Sequence, residues 1–187
     1  EVERRNLRLY GYGVKGFTLS MIETAMELCD GDPPPRALRE ILAAGREMLT
    51  HPVETLPGVA ETLAGLADRY RLVLITKGDM MDQERKLAAS GLGELFSGVE
   101  IVSEKDRTTY DRAFTRHGTG PDQAVMAGNS MKSDVLPALE AGAFAVHIPY
   151  HVTWDHELAD APQGHPRFTL LDTIAALPAW IDGLPDR

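Results

Sequence analysis

The stretch "AVMAGNSMKSDVLPALEAGAFAVHIP", residues 124–149, decides the fold. Its first five residues, 124–128, are an apolar run that stops on Gly128. A loop crowded with polar side chains follows: Asn129, Ser130, Lys132, Ser133 and Asp134. The spacing predicts a helix over 132–142, closed by Gly142, and then a second apolar strand over 143–149. Strand, helix and strand in succession form one parallel βαβ unit.

The same alternation extends in both directions. "RLVLIT" (71–76) is a continuous apolar, β-branched run, as expected for a strand buried on both faces. Short strands are predicted at 99–102 and 167–171. Helices are predicted over 56–70, opened by Pro57, over 80–91, over 106–118 and over 172–182. The expected class is therefore α/β, a doubly wound, Rossmann-like parallel sheet.

Residues 1–54 have a different texture. "GFTLSMIETAMEL" (16–28) sets Leu19, Ile22 and Met26 on one side of a helix. "GDPPP" (31–35) breaks the chain, and Leu38, Ile41, Leu42, Met48 and Leu49 recur at helical spacing within 36–51. No strand is predicted before residue 54. The expected division is a helical part over 1–54 and an α/β part over 55–187.

Composition narrows the function classes. The 28 acidic and 19 basic residues give a net charge of −9, which argues against a nucleic-acid groove. No stretch has the length and apolarity of a bilayer span, so no membrane partner is expected. The single Cys29 allows no internal disulfide and fits a reducing, cytoplasmic setting; beside Leu28 it reads as a small packed residue. His147, His151, Asp155 and His156 lack the paired spacing of a zinc site. Tyr150 and Trp154 can cover one side of a pocket, and Lys15, in the glycine-rich "YGYGVKGF" (10–17), is a candidate specificity residue.

In doubly wound sheets ligands bind at the carboxyl ends of the strands. The predicted strands end in Thr76-Lys77-Gly78-Asp79, Ser103-Glu104-Lys105-Asp106, Gly128-Asn129-Ser130 and Pro149-Tyr150-His151. Thr76 can offer its hydroxyl, with neighbouring N–H groups, to a phosphate, or serve as an ordinary helix N-cap. Lys105 can neutralise phosphate charge or remain solvated. Asp134 can organise a divalent cation or sit in the favourable first turn of a helix. Asn129 can ligate through its amide oxygen or satisfy the turn.

Taken in order, Thr76, Lys105 and the loop Gly128-Asn129-Ser130-Met131-Lys132-Ser133-Asp134 resemble the haloacid dehalogenase superfamily of hydrolases. "LPGVAETLAGL" before the first strand and "LEAGAFAVHIP" after the loop add to the likeness, which covers about residues 56–150. The resemblance implies a Mg2+-dependent hydrolase, a phosphatase acting on a small phosphorylated substrate through an aspartyl-phosphate. It makes Thr76 and Lys105 catalytic, gives phosphate binding to Thr76, Lys77, Gly78, Lys105 and Ser130, and gives the metal to Asn129 and Asp134. Residues 1–54 become the small helical cap.

Two departures from the family pattern stand out. Phosphatases of this type carry aspartate where this chain has Asn129, so one metal ligand is uncharged. The nucleophile, from an Asp-x-Asp motif ending a central strand, has no counterpart: "LRLYGYGV" (7–14) contains no acidic residue. Its strand is expected upstream of residue 1. Two alternatives follow, a 2-haloacid dehalogenase on the same scaffold and a non-catalytic binding protein that retains a phosphate pocket.

Overall fold

The computed structural model describes residues 1–152 and 154–184. The chain divides into two compact units, Glu1–Glu54 with Thr76–Gly91, and Thr55–Ile75 with Leu92–Arg187.

The first unit is helical, with α1 (Val2–Tyr10), α2 (Val14–Leu28) and α3 (Pro35–Thr50) in succession. Periodicity does not mark α1, because its residues are mostly polar and it is joined to α2 by hydrogen bonds. Buried Asn6 donates to Ser20 Oγ (3.3 Å) and Glu23 Oε2 (2.6 Å), the Tyr10 hydroxyl donates to Glu23 Oε1, and Arg5 reaches Glu27 (2.6 Å). Between α2 and α3 the chain needs glycine at 45, where a Cβ would lie 2.5 Å from Thr18 Oγ1. The last helix of this unit, α5 (Met80–Ser90), is N-capped by Asp79 and stops at Gly91, whose φ is 69°. In α5 the buried Asp82 carboxylate pairs with Arg85 (2.8 Å) and Lys86 (2.8 Å). Burial opposes its charge, but the two cations outweigh that cost and hold its pKa below the usual range.

The second unit holds α4 (Val59–Ala67), β2 (Gly98–Val102), α6 (Arg107–His117), β3 (Val125–Gly128), α7 (Leu136–Glu140), β4 (Phe144–His147), β5 (Phe168–Leu170) and α8 (Leu177–Asp182). The strand β1 (Val73–Lys77) contributes its first three residues to this unit and its last two to the other. β3, β4 and β5 are parallel neighbours, with Val125 opposite Phe144, Gly128 opposite His147, and Ala145 opposite Phe168. β1 pairs with β2. Strand alternation divides the core. Ala143 and Ala145 join Tyr110, Met131, Val135 and Leu139 on one face, while Val146 joins Leu66 and Leu177 on the other. The fold is thus the expected mixed α/β class with parallel strands.

Three elements differ from the sequence reading. β1 is half-buried along its whole length and not covered on both faces. The helix expected from 132 begins as a wide turn over Met131–Val135, and regular α-helix starts only at Leu136. The helix expected from 172 starts at Leu177, with Pro178 in its first turn, where a missing N–H costs nothing. Among the described residues no helix is long and apolar enough to cross a membrane.

Candidate functional site

The loop after β3 is built around Asp134. Its side chain is 6% exposed, and Oδ1 accepts from Lys105 Nζ at 2.7 Å. Oδ2 accepts from the Ser130 amide at 2.9 Å. Gly128 makes room for this carboxylate, since a Cβ there would lie 2.3 Å from Asp134 Oδ2. The turn is wide because two successive amides share one acceptor: Asp134 N (2.9 Å) and Val135 N (3.1 Å) both donate to Ser130 O. Wide turns of this kind are frequent at functional sites.

Ser130, Lys132, Ser133 and the Asn129 carbonyl each have a partner. Ser130 Oγ accepts from Ser133 N at 2.9 Å and donates to Glu157 Oε2. The wholly buried Tyr110 donates its hydroxyl proton to Ser133 O at 3.0 Å. His147 Nε2 lies 3.1 Å from Asn129 O, and Lys132 Nζ lies 3.4 Å from His156 Nε2. Burial raises the Tyr110 phenol far above its ordinary value, and the negative charges of Asp134 and Glu157 raise it further.

Lys105 comes from the segment between β2 and α6. That segment is fixed by the N-cap Asp106, which accepts from Thr109 N at 2.8 Å, and by Thr109 Oγ1 donating to Glu104 O at 3.1 Å. The Thr109 amide holds the Asp106 carboxyl below the usual carboxylate range. The Lys105 side chain is 12% exposed. An ammonium this covered needs a partner, and Asp134 supplies it.

The structure therefore brings Lys105, from the segment after β2, against Asp134 of the loop after β3, which also holds Ser130 and Asn129. Asn129 is exposed. Thr76, Lys77 and Gly78 form a separate group in the first unit. Thr76 Oγ1 donates to Gln83 Oε1 at 2.8 Å, and the Lys77 ammonium lies 4.2 Å from the centre of the Tyr12 ring. Gly78 has φ 145°, and a Cβ there would meet Gln83 Nε2 at 2.7 Å. Lys15 donates to Asp79 at 3.0 Å and lowers its carboxyl pKa. Tyr150 packs on His151 and Trp154 on His156.

Asn129 and Asp134 offer an amide oxygen and a carboxylate, hard donors of the kind Mg2+ takes. Among the described residues no group of three or more His, Cys, Asp or Glu side chains could hold a metal ion. The pair thus fits Mg2+ in chemical kind, with the remaining positions left to water or other oxygens.

No family model matches the chain. A solved haloacid dehalogenase-like family hydrolase from Xanthomonas campestris is 42% identical, covering 97% of this chain and 72% of that one, with a TM-score of 0.86. The chain belongs to the haloacid dehalogenase-like hydrolases. A curated relative, glyceraldehyde 3-phosphate phosphatase of Methanothermobacter thermautotrophicus, is 30% identical over an alignment of 118 positions that covers 58% of this chain. The match spans half of that phosphatase's length. A haloacid dehalogenase-type phosphatase from Thermococcus onnurineus shares the fold at 23% identity, covering 97% of this chain and 87% of that one, with a TM-score of 0.60.

Within this member of the haloacid dehalogenase-like hydrolases, three loop-holding residues escape sequence reasoning. Tyr110 sits in a helix where it looks like ordinary core. His147 ends a strand and has no ligand spacing. Glu157 lies in an irregular segment 27 residues beyond Ser130, and no local pattern signals the contact.

Proposed function

We propose that this protein is a Mg2+-dependent phosphatase acting on a small phosphorylated metabolite. The observation that carries the reading is the buried Lys105–Asp134 pair at 2.7 Å, a fixed cation from the segment after β2 and a carboxylate on the loop after β3. In this reading Lys105 neutralises charge on the transferring phosphoryl group. Asn129 and Asp134 hold Mg2+, which when bound offsets phosphate charge. The nucleophile in this reading is an aspartate carboxylate. Among the described residues β3 has a hydrogen-bonded neighbour on one edge only, β4, and a strand bearing that aspartate would suit the other edge. Residues 1–54 act as the cap that selects the substrate. A reducing cytoplasm suits a chain with one unpaired cysteine. The 30% identical phosphatase favours phosphate over halide chemistry.

The test is hydrolysis of an aryl phosphate by the intact natural protein with Mg2+. We expect turnover that EDTA abolishes and added Mg2+ restores. Metal-independent halide release from a 2-haloacid would replace this reading with dehalogenation. Inactivity in both assays would leave a binding protein.

A further inference from the structure

We propose that Glu157 is a positioning residue for the loop 129–134, holding Ser130 so that Asp134 stays aimed at Lys105. Only the kinetic arm of its test rests on the phosphatase reading.

The argument starts from Ser130, a buried hydroxyl at 6% exposure. Its oxygen already accepts the Ser133 N–H at 2.9 Å, as an N-cap does. Its own proton needs an acceptor, and that acceptor is the Glu157 carboxylate. A hydrogen bond to an ionised acceptor is about twice as strong as one between neutral groups. The same residue's amide donates to Asp134 Oδ2 at 2.9 Å, so the orientation of Ser130 fixes the direction of Asp134. The chain Glu157–Ser130–Asp134–Lys105 is continuous, each link a hydrogen bond or ion pair.

The segment that carries Glu157 is itself fixed. Asp155–Glu157 forms a single tight turn in which Glu157 N donates to Trp154 O at 2.8 Å. The preceding residue of the turn, His156, faces Lys132 at 3.4 Å and stacks against Trp154 with ring centres 5.0 Å apart. Two successive residues of one turn therefore grip the loop at positions 130 and 132. The charge of Glu157 also reaches Tyr110, the α6 residue that holds the loop at Ser133 O, and contributes to raising its phenol. A surface glutamate with a merely local role would do none of this.

The experiment compares Glu157→Ala, Glu157→Gln and Asp155→Ala in the intact protein, by amide hydrogen exchange over 130–134 and by Mg2+-dependent turnover. In Glu157→Ala we expect amides of the loop to exchange roughly ten- to a hundred-fold faster. We expect kcat to fall about ten- to a hundred-fold with KM changing less than about two-fold. The Gln variant keeps an acceptor oxygen and should recover most of both. The exposed Asp155→Ala should match wild type. Unchanged exchange in Glu157→Ala overturns the proposal, as does faster exchange with kcat intact. A Gln variant no better than Ala, or an Asp155→Ala variant equally impaired, also overturns it. If the wild type shows no Mg2+-dependent turnover, the phosphatase reading fails. Faster exchange in Glu157→Ala then still supports the brace.

Discussion

Replacing Gly128 with alanine tests the loop where it is tightest. The added Cβ would lie 2.3 Å from Asp134 Oδ2, 2.5 Å from its Cγ and 2.6 Å from its Cβ. The first contact falls about 1.1 Å short of the 3.4 Å at which ordinary contact begins. Because the Cβ of Asp134 is involved, no rotation of its side chain relieves the overlap, and backbone must move. The movement pulls Asp134 from both of its donors, Lys105 Nζ at 2.7 Å and Ser130 N at 2.9 Å. Overpacking of a closed site costs typically about 1–3 kcal/mol. For a chain of this size, about 2 kcal/mol lowers Tm by roughly 4–8 °C. A displacement of about 1 Å at a reacting centre can cost roughly a hundred-fold in rate. Thermal melts by circular dichroism and Mg2+-dependent turnover of the intact protein measure the two effects. A Gly128→Ala protein with wild-type Tm and wild-type kcat would refute the claim that Asp134 occupies the space beside Gly128.

Three further outcomes are expected. Lys105→Ala removes the cation at Asp134 and should lower turnover by about 10²–10³-fold while leaving a folded circular dichroism spectrum; retained activity would remove Lys105 from the site. Asn129→Asp adds a charged ligand and should tighten Mg2+ binding roughly ten-fold by titration calorimetry; unchanged or weaker binding would exclude residue 129 from the metal shell. The Tyr110 phenol is neutral when buried and its folded pKa lies above the ordinary 10.0. Its contribution to stability is thus fully present below pH 10 and is lost as pH rises toward the folded value. Urea unfolding of wild type should weaken more steeply above pH 10 than that of Tyr110→Phe, and equal slopes would contradict the buried phenol.

Much of the α/β unit is legible in the sequence because its strands are short apolar runs and several of its helices begin or stop at Gly, Pro or Asp. Gly118 ends the predicted helix 106–118 and Asp106 caps its start, and in the helical unit Gly91 and Asp79 do the same for the helix predicted over 80–91. Position at strand ends also singles out Lys105 and Asp134, which the fold joins. What escapes is set by contacts distant in sequence. The helix α1 forms although its residues are largely polar, since Glu23 gathers Arg5, Asn6 and Tyr10 from 13 to 18 positions away. The wide turn at Met131–Val135 is invisible to a helical period, because it is set by Ser130 O serving two amides and by Asp134 reaching back to Ser130. Glu157 is hidden for the same reason.

The division of the chain has a consequence for anyone who would exchange parts of it. The helical unit is assembled from two separate stretches, Glu1–Glu54 and Thr76–Gly91. Transplanting residues 1–54 alone from another protein would leave the second stretch behind. It would remove the Tyr12 ring beneath Lys77 and the Lys15 ammonium at Asp79. A working chimera must therefore carry both stretches, and the helical unit is inherited as two segments, with residues 55–75 of the other unit between them.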